Sequence, residues 1–191
     1  MVKKFWGTLF LIVGNSGSGK DSIISGVITK YPSNRKPLYA PKRFITRRES
    51  ETENNFSVTI EQFEEMDEKG KFALKWHIYD LYYGIPIFID NWLKNGHPVI
   101  INVSRTIVKQ AREIYSNMRV VFVDVPFKIT SERIESRKRE NPELIRKRIE
   151  RARENQKFPE ADFIIDNSGE LDDAINQLLN YIIESVDNPE A

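Results

Sequence analysis

Residues 14–20, with the sequence GNSGSGK, could bind the phosphates of a nucleotide. They follow an apolar run at 5–13 and have the spacing Gly-x4-Gly-Lys. Glycines let backbone N–H groups approach phosphate oxygens without interference from side chains, and a helix that begins here adds the positive end of its dipole. Lys20 is expected to contact the β- and γ-phosphates and to neutralise the charge that develops during phosphoryl transfer. This pattern predicts a phosphate-binding loop (P-loop) between a strand and a helix.

The residue after Lys20 departs from the usual P-loop pattern. That position normally holds Ser or Thr, whose hydroxyl binds Mg²⁺, whereas this sequence has Asp21 followed by Ser22. A carboxylate beside a triphosphate repels it unless a cation lies between them, so Asp21 is expected to bind Mg²⁺ directly or through water. Two alternatives remain open: Ser22 is the metal ligand, or Asp21 only stabilises the first turn of the helix through the helix dipole.

A cluster of basic residues between 42 and 48 could bind the phosphates of a second substrate. Arg43 and Arg47 are the preferred pair, because a guanidinium group holds phosphate oxygens two at a time. In an extended segment, alternate residues also point to the same side. Lys42 and Arg48 either join this pair or are merely solvated.

The segment 128–157 is strongly basic, although the charge of the whole chain is balanced. It contains 11 basic and 6 acidic residues, whereas no Lys or Arg follows Lys157. A basic segment on a balanced protein favours a small anionic ligand, while a nucleic-acid partner favours a wholly basic domain. The alternation of acidic with basic residues also allows part of the segment to be a solvated helix with ion pairs along its surface.

Composition excludes several other kinds of site. The chain has 191 residues, 29 Lys and Arg, 28 Asp and Glu, two His and no Cys. The lack of Cys excludes disulfides, thiolate zinc sites and cysteine nucleophiles. No apolar run reaches the roughly 18 residues of a membrane span, and the first lysines are not followed by a signal-length apolar stretch. We therefore expect a cytoplasmic protein with a single domain at 1–191, and neither a membrane nor nucleic acid as its partner.

Short apolar runs alternate with helical patterns along the chain. The runs that predict buried strands are 5–13, 98–103, 119–125 and 163–166. Thr59 and Gln62 have the spacing of a capping box, before a helix that Gly70 can end. A second helix is expected to begin with the Asn-Pro pair at 141–142 and to run to about residue 159. Alternating strands and helices predict an α/β fold with a mostly parallel sheet.

Taken together, these segments resemble the guanylate kinase family, and more narrowly the ribose 1,5-bisphosphate phosphokinases, its relatives in phosphonate degradation. The matching segments are the P-loop with Gly-Lys-Asp, Arg43-Phe44-Ile45-Thr46-Arg47, Trp76-His77, Leu81-Tyr82-Tyr83-Gly84, Asn102-Val103-Ser104-Arg105 and Arg137-Lys138-Arg139-Glu140-Asn141. The resemblance implies a three-layer P-loop kinase fold with a five-stranded, mostly parallel sheet. It also implies an acceptor-binding region at about 38–93 and an arginine-rich lid at about 128–158.

The resemblance further implies a reaction and a set of site residues. With Mg²⁺, the γ-phosphoryl group of ATP would pass to the 1-phosphate of ribose 1,5-bisphosphate, giving 5-phospho-α-D-ribose 1-diphosphate and ADP. The catalytic residues would be Lys20, Arg137 and Arg148. The nucleotide-binding residues would be Gly14, Asn15, Ser16, Gly17, Ser18, Gly19, Lys20, Asp21, Ser22, Arg133 and Asn167, with Asp21 as the metal ligand. The residues that bind the sugar phosphate would be Arg43, Arg47, Lys75, Tyr83 and Ser104.

Two other functions stay open. A guanylate kinase, or another nucleoside monophosphate kinase, would need acidic residues that read the base, but Lys75, Asn102 and Ser104 stand where the family has them. A purine in such a site would leave buried donors unpaired, which argues against this alternative. The second is a kinase-like binding module without catalysis, against which the intact Lys20 argues. The sequence leaves open whether the protein is a monomer or a homodimer.

Overall fold

The computed structural model describes residues 2–47, 55–136 and 142–188. The strands are β1 (Leu9–Val13), β2 (Arg43–Ile45), β3 (Asn55–Ser57), β4 (Phe72–Ile78), β5 (Leu81–Pro86), β6 (Val99–Asn102), β7 (Met118–Asp124) and β8 (Phe163–Asp166). The helices are α1 (Lys20–Lys30), α2 (Ile60–Glu68), α3 (Ile89–Lys94), α4 (Val108–Ile114), α5 (Phe127–Glu135), α6 (Pro142–Glu154) and α7 (Leu171–Asp187), and a 3₁₀ turn, Arg105–Ile107, precedes α4. Within this described part, no helix is long and apolar enough to cross a membrane.

The main sheet is parallel and has helices on both faces. Its strand order is β6-β1-β7-β8. Successive side chains of a strand point to opposite faces, so β1 contributes to two cores. Leu9 and Leu11 pack in the core that contains residues of α3 and α4, whereas Phe10 and Ile12 pack in the core of α1 and α7. This arrangement confirms the predicted α/β class with a mostly parallel sheet.

The expected number of strands in that sheet is wrong by one. In the described residues the sheet has four strands, and a single bridge from Tyr39 to Val99 stands where a fifth would lie beside β6. The Tyr39 N–H donates to the Pro98 oxygen, and the Ile100 N–H donates to the Tyr39 oxygen. Pro37 and Pro41 flank Tyr39. Because proline has no N–H, the pairing cannot extend in either direction.

A second, mixed sheet has the order β3-β2-β5-β4. Its β4–β5 pair is an antiparallel hairpin, and β2 pairs antiparallel with β5. The β4–β5 turn consists of Tyr79 and Asp80, with positive φ values of 53° and 58°. This sheet lies in the region expected to bind the acceptor, and it carries Arg43 on β2.

The predicted helix boundaries hold in one case and shift in another. The capping box of Thr59 and Gln62 is formed, and Gly70 follows α2 with φ +64°, as predicted. Helix α6 begins at Pro142 but ends at Glu154, several residues before the expected position. At this end, both the side-chain amide and the backbone N–H of Asn155 donate to the Arg151 oxygen, at 2.8 and 3.1 Å. The predicted N-cap, Asn141, lies outside the described residues.

A buried polar cluster ties the start of the chain to α3 and to the end of α4. The Asp90 carboxylate accepts from Lys3 Nζ at 2.6 Å and from the Tyr115 hydroxyl at 2.7 Å. Burial, followed by the hydrogen bond to Asp90, raises the pKa of Tyr115 above its usual value. The cluster therefore keeps Tyr115 as a neutral donor to a charged acceptor.

We expect Asp90→Ala to lower the free energy of unfolding by about 2 kcal/mol, because it leaves the ammonium group of Lys3 and the hydroxyl of Tyr115 without their shared acceptor. Asp172→Ala is the control, since Asp172 pairs with Lys30 at the exposed surface and such pairs contribute about 0.5 kcal/mol. Urea denaturation of both variants measures the difference. Equal losses would show that the Asp90 cluster contributes no more than a surface ion pair.

Candidate active site

A polar cleft of about 230 Å³ lies where β1 and β6 end and α1 begins. In parallel α/β sheets, ligands bind at the carboxyl ends of the strands. The described residues that line the cleft are Gly14, Asn15, Ser16, Gly17, Gly19, Lys20, Asp21, Ser22, Arg43, Arg47, Trp76, Ile78, Tyr79, Tyr83, Asn102, Val103, Ser104, Arg105, Arg148, Arg151 and Ala152. The cleft therefore joins the P-loop, the second sheet and helix α6.

The P-loop has the backbone that phosphate binding requires. Gly17 and Gly19 have φ values of 81° and 86°, which favour glycine. Lys20 begins α1, and its Nζ donates to the backbone oxygens of Gly14 at 2.9 Å and Asn15 at 2.8 Å. The ammonium group thus lies over the loop, where a bound phosphate would meet it.

Asp21 stands at the junction of the P-loop and the end of β6. Its Oδ1 accepts from Asn102 Nδ2 at 2.7 Å, and Ser22 lines the cleft beside it. Mg²⁺ prefers oxygen ligands and is commonly held by one or two carboxylates plus substrate phosphates. The donor set of Asp21 and Ser22 fits that requirement. In the part of the chain that the structure describes, no cluster of three His, Asp or Glu side chains offers a metal site independent of the nucleotide.

The acceptor side of the cleft is basic and aromatic. Arg43 donates through Nη1 to the Asn102 oxygen at 2.9 Å and lies over the ring of Tyr83 at 5.9 Å. Tyr83 in turn stacks on Trp76, with ring centroids 5.1 Å apart. The structure therefore brings into one cleft Arg43, Arg47 and Tyr83, three of the residues predicted to bind the sugar phosphate.

Lys75 does not join this group. Its side chain is exposed and forms an ion pair with Asp67 near the end of α2. Neighbouring residues of a strand point to opposite faces, so Trp76 turns toward the cleft and Lys75 away from it. The expectation that Lys75 contacts the sugar phosphate is not supported by this placement. Ser104 does line the cleft, and its hydroxyl caps the 3₁₀ turn that follows β6.

The basic segment contributes Arg148 and Arg133. Arg148 is buried, and its Nη1 donates to Ser16 Oγ in the P-loop at 2.9 Å. Arg133 Nη1 lies 3.5 Å from the Gly17 oxygen. Arg137, the third expected arginine, lies outside the described residues. Both described arginines therefore meet the P-loop from α5 and α6.

Asn167 lies on the other side of the P-loop. Its side chain is buried, and Nδ2 donates to the Ser18 oxygen at 2.8 Å. Its Oδ1 is a buried acceptor that has no hydrogen-bond partner among the described residues. A buried acceptor of this kind suits a ligand that brings a donor.

Sequence reasoning missed the role of Arg105. Its Nη2 donates to Asn15 Oδ1 and to the Asn155 oxygen, both at 3.0 Å, so it ties the P-loop to the end of α6. Burial, followed by the nearby charge of Arg151, lowers the pKa of Arg105. Its position after β6, within a matched motif, was the available signal, but its two partners lie far away in sequence.

The arrangement can bring two phosphorylated compounds together under a positive field. The P-loop, Arg148, Arg43 and Arg47 all line this cleft. Cations around transferring oxygens stabilise the charge that develops in phosphoryl transfer. The geometry therefore supports phosphoryl transfer from a nucleotide to an anionic acceptor.

Comparisons with known proteins agree with this chemistry. The family model described as Guanylate kinase matches residues 7–185. The chain is 37% identical over 178 residues to a ribose 1,5-bisphosphate phosphokinase of Pseudomonas paraeruginosa, covering 92% of this chain and 95% of the relative. It is also 37% identical over 166 residues to the enzyme of that name from Pectobacterium atrosepticum, covering 85% and 87%. A guanylate kinase from Anaplasma phagocytophilum shares the fold, with a TM-score of 0.66 at 13% identity, over 97% of this chain and 88% of that structure.

Proposed function

The chain belongs to the guanylate kinase family, and we propose that within it the protein is a ribose 1,5-bisphosphate phosphokinase that uses ATP. The enzyme converts ATP and ribose 1,5-bisphosphate into ADP and 5-phospho-α-D-ribose 1-diphosphate. The two relatives described above carry that name and match nearly the whole chain. The reaction belongs to phosphonate degradation.

The charge of the acceptor side supports this choice of substrate. Asp21 is the one carboxylate among the described residues that line the cleft, and it lies at the P-loop. A purine acceptor would need acidic partners for its N–H groups, and unpaired donors are costly when buried. Arg43 and Arg47, by contrast, suit the phosphates of a compact sugar bisphosphate.

The chemistry requires positioning and charge neutralisation. An oxygen of the 1-phosphate attacks the γ-phosphorus of ATP while the bond from that phosphorus to the β,γ-bridging oxygen breaks. The acceptor is already ionised, so no general base has to remove a proton. We assign Lys20 and Arg148 to the oxygens of the transferred group, and Arg43 and Arg47 to the acceptor.

We further assign Asp21 as the ligand that this chain offers to Mg²⁺. Asn102 holds one oxygen of its carboxylate and thereby orients the group toward the cleft. When bound, Mg²⁺ neutralises negative charge on the phosphates of the donor. Ser22, the next residue of α1, is the alternative ligand. For Asn167, the buried Oδ1 suits the amino group of adenine, which brings a donor.

Measurement of ADP release from MgATP tests the proposed function. We expect release with ribose 1,5-bisphosphate, a blank rate with GMP and with no acceptor, and a blank rate after chelation of the metal. We expect transfer to the sugar phosphate because the acceptor side of the cleft is basic. We expect GMP to be rejected because the described residues of that side offer no acidic partner for the N–H groups of its base.

Two results would contradict this proposal. Release with GMP comparable to that with the bisphosphate would show that the cleft reads a purine without the expected acids. No release with either acceptor, from protein that still binds ATP, would favour the non-catalytic binding module.

A further inference from the structure

The turn of the β4–β5 hairpin places a tyrosine, Tyr79, in a left-handed backbone conformation that bulky residues rarely adopt. Tyr79 and Asp80 both have φ values in the left-handed region, 53° and 58°. Two-residue hairpin turns with this geometry favour Asn, Asp and Gly, because a bulky side chain is strained there. Asp80 suits the turn, but Tyr79 does not. The presence of a tyrosine at this position directs attention to the contacts of its ring.

Those contacts come from helix α6. The guanidinium carbon of Arg148 lies 5.5 Å from the centroid of the Tyr79 ring, and that of Arg151 lies 5.7 Å from it. The two arginines are three residues apart, so they share one face of the helix. Tyr79 also lines the cleft. The ring of Tyr79 thus links the hairpin turn to helix α6, and the charge of Asp80 in the same turn acts on Lys147 of that helix.

An aromatic ring is well suited to hold an arginine that must also bind phosphate. Its face attracts the guanidinium group through the negative part of the ring quadrupole and carries no net charge. A carboxylate in the same place would cancel the positive charge and compete with phosphate oxygens for the N–H donors. A ring in this place therefore restrains a guanidinium group without neutralising its charge.

Arg148 also contacts the P-loop. Its Nη1 donates to Ser16 Oγ in the P-loop. Arg148 is consequently held between the P-loop and the hairpin turn, although α6 itself belongs to neither. We propose that Tyr79 is a positioning residue that holds Arg148 in place for phosphoryl transfer. This inference rests on the proposed function, in which Arg148 contacts the transferred group.

Substitutions that preserve the turn test the role of the ring. Tyr79→Gly removes the ring and suits the positive φ, so the hairpin should stay folded. We expect kcat to fall about tenfold in Tyr79→Gly, with the KM for ribose 1,5-bisphosphate changed less than about twofold, because Arg148 acts on the transferred group. Tyr79→Phe keeps the ring and should stay within about twofold of the wild type.

Asp80→Gly is the matched control, since it leaves the ring but changes the neighbouring turn residue and removes the charge that acts on Lys147 of α6. We expect its kcat to stay within about twofold of the wild type. A tenfold loss in this variant would show that the turn or the charge of Asp80, and not the ring of Tyr79, determines the rate. An unchanged kcat in Tyr79→Gly would overturn the inference directly.

A double-mutant cycle shows whether Tyr79 acts through Arg148. In an Arg148→Ala background, Tyr79→Gly should change kcat less than about twofold, whereas a full tenfold loss there would overturn the proposal. The same cycle can be measured through the Kd of ATP by calorimetry. We expect Tyr79→Gly to raise this Kd about threefold in the wild-type background and to leave it unchanged in the Arg148→Ala background. The rate of the wild-type enzyme with ribose 1,5-bisphosphate tests the proposed function. The calorimetric cycle needs no acceptor, so it tests the role of Tyr79 separately. A Kd unaffected by Tyr79→Gly, or equally affected in both backgrounds, would count against the inference.

Discussion

Lys20→Ala is expected to lower kcat by about a thousandfold, because it removes the ammonium group to which we assign neutralisation of the transferred phosphoryl group. Lys20 Nζ is bound to the backbone oxygens of Gly14 and Asn15, within the same loop. Its loss should therefore leave the core of the protein unchanged. Steady-state rates of ADP release measure the effect, and thermal unfolding verifies that the variant is folded.

Lys30→Ala is the matched control for this prediction. Lys30 lies at the other end of α1 and pairs with Asp172 at the surface. Its removal takes the same charge from the same helix, far from the cleft, and should leave kcat unchanged. Full activity of Lys20→Ala would be incompatible with an enzyme that uses the P-loop and would favour a binding module.

Arg43→Ala and Arg47→Ala are each expected to raise the KM for ribose 1,5-bisphosphate by about 10- to 100-fold, the loss typical of a charged hydrogen bond to phosphate. Both side chains line the acceptor side of the cleft. The effect on the KM for ATP should be smaller, because our proposal places the donor at the P-loop. Initial rates over a range of acceptor concentrations separate the two constants.

Lys75→Ala serves as the control, because Lys75 is a basic residue of the same sheet that turns away from the cleft. We expect its KM for the acceptor to equal that of the wild type. If Lys75→Ala weakened acceptor binding as much as Arg47→Ala, its side chain would have to leave Asp67 and enter the cleft during binding. That result would restore the expectation drawn from the sequence.

The placement of the carboxylate at Asp21 and of a neutral amide at Asn102 has a simple electrostatic consequence. The carboxylate lies at Asp21, on the P-loop helix, and the strand end opposite it carries the neutral amide of Asn102. The two side chains are joined by a hydrogen bond. An acid at both positions would place two negative charges in contact beside the donor phosphates. The amide avoids this repulsion and leaves the acceptor side positive.

Local features of the site were predictable from the sequence because neighbouring residues determine them. The P-loop needs a strand, closely spaced glycines and a lysine, all within residues 9–20. The capping box of Thr59 and Gln62 likewise depends on residues three apart. The parallel sheet followed from the alternation of apolar strands with helices.

Other features depended on which residues meet in space. The contacts of Arg105 with Asn155, and of Tyr79 with Arg148, join residues about 50 and 70 positions apart, and no local pattern predicts such pairs. In place of the expected fifth strand, the described residues have a single bridge at Tyr39, because prolines flank that residue.

The sequence by itself thus determined the α/β class and predicted the P-loop and an anionic acceptor, since each follows from short-range spacing or from charge. Only the tertiary structure decided which basic residues line the cleft. Lys75 and Arg43 are both basic residues on strands of one sheet, but strand register turns Lys75 toward Asp67 and Arg43 toward Asn102. The physical reason is that side chains alternate between the faces of a strand, so a shift of one residue exchanges the cleft for the outer surface.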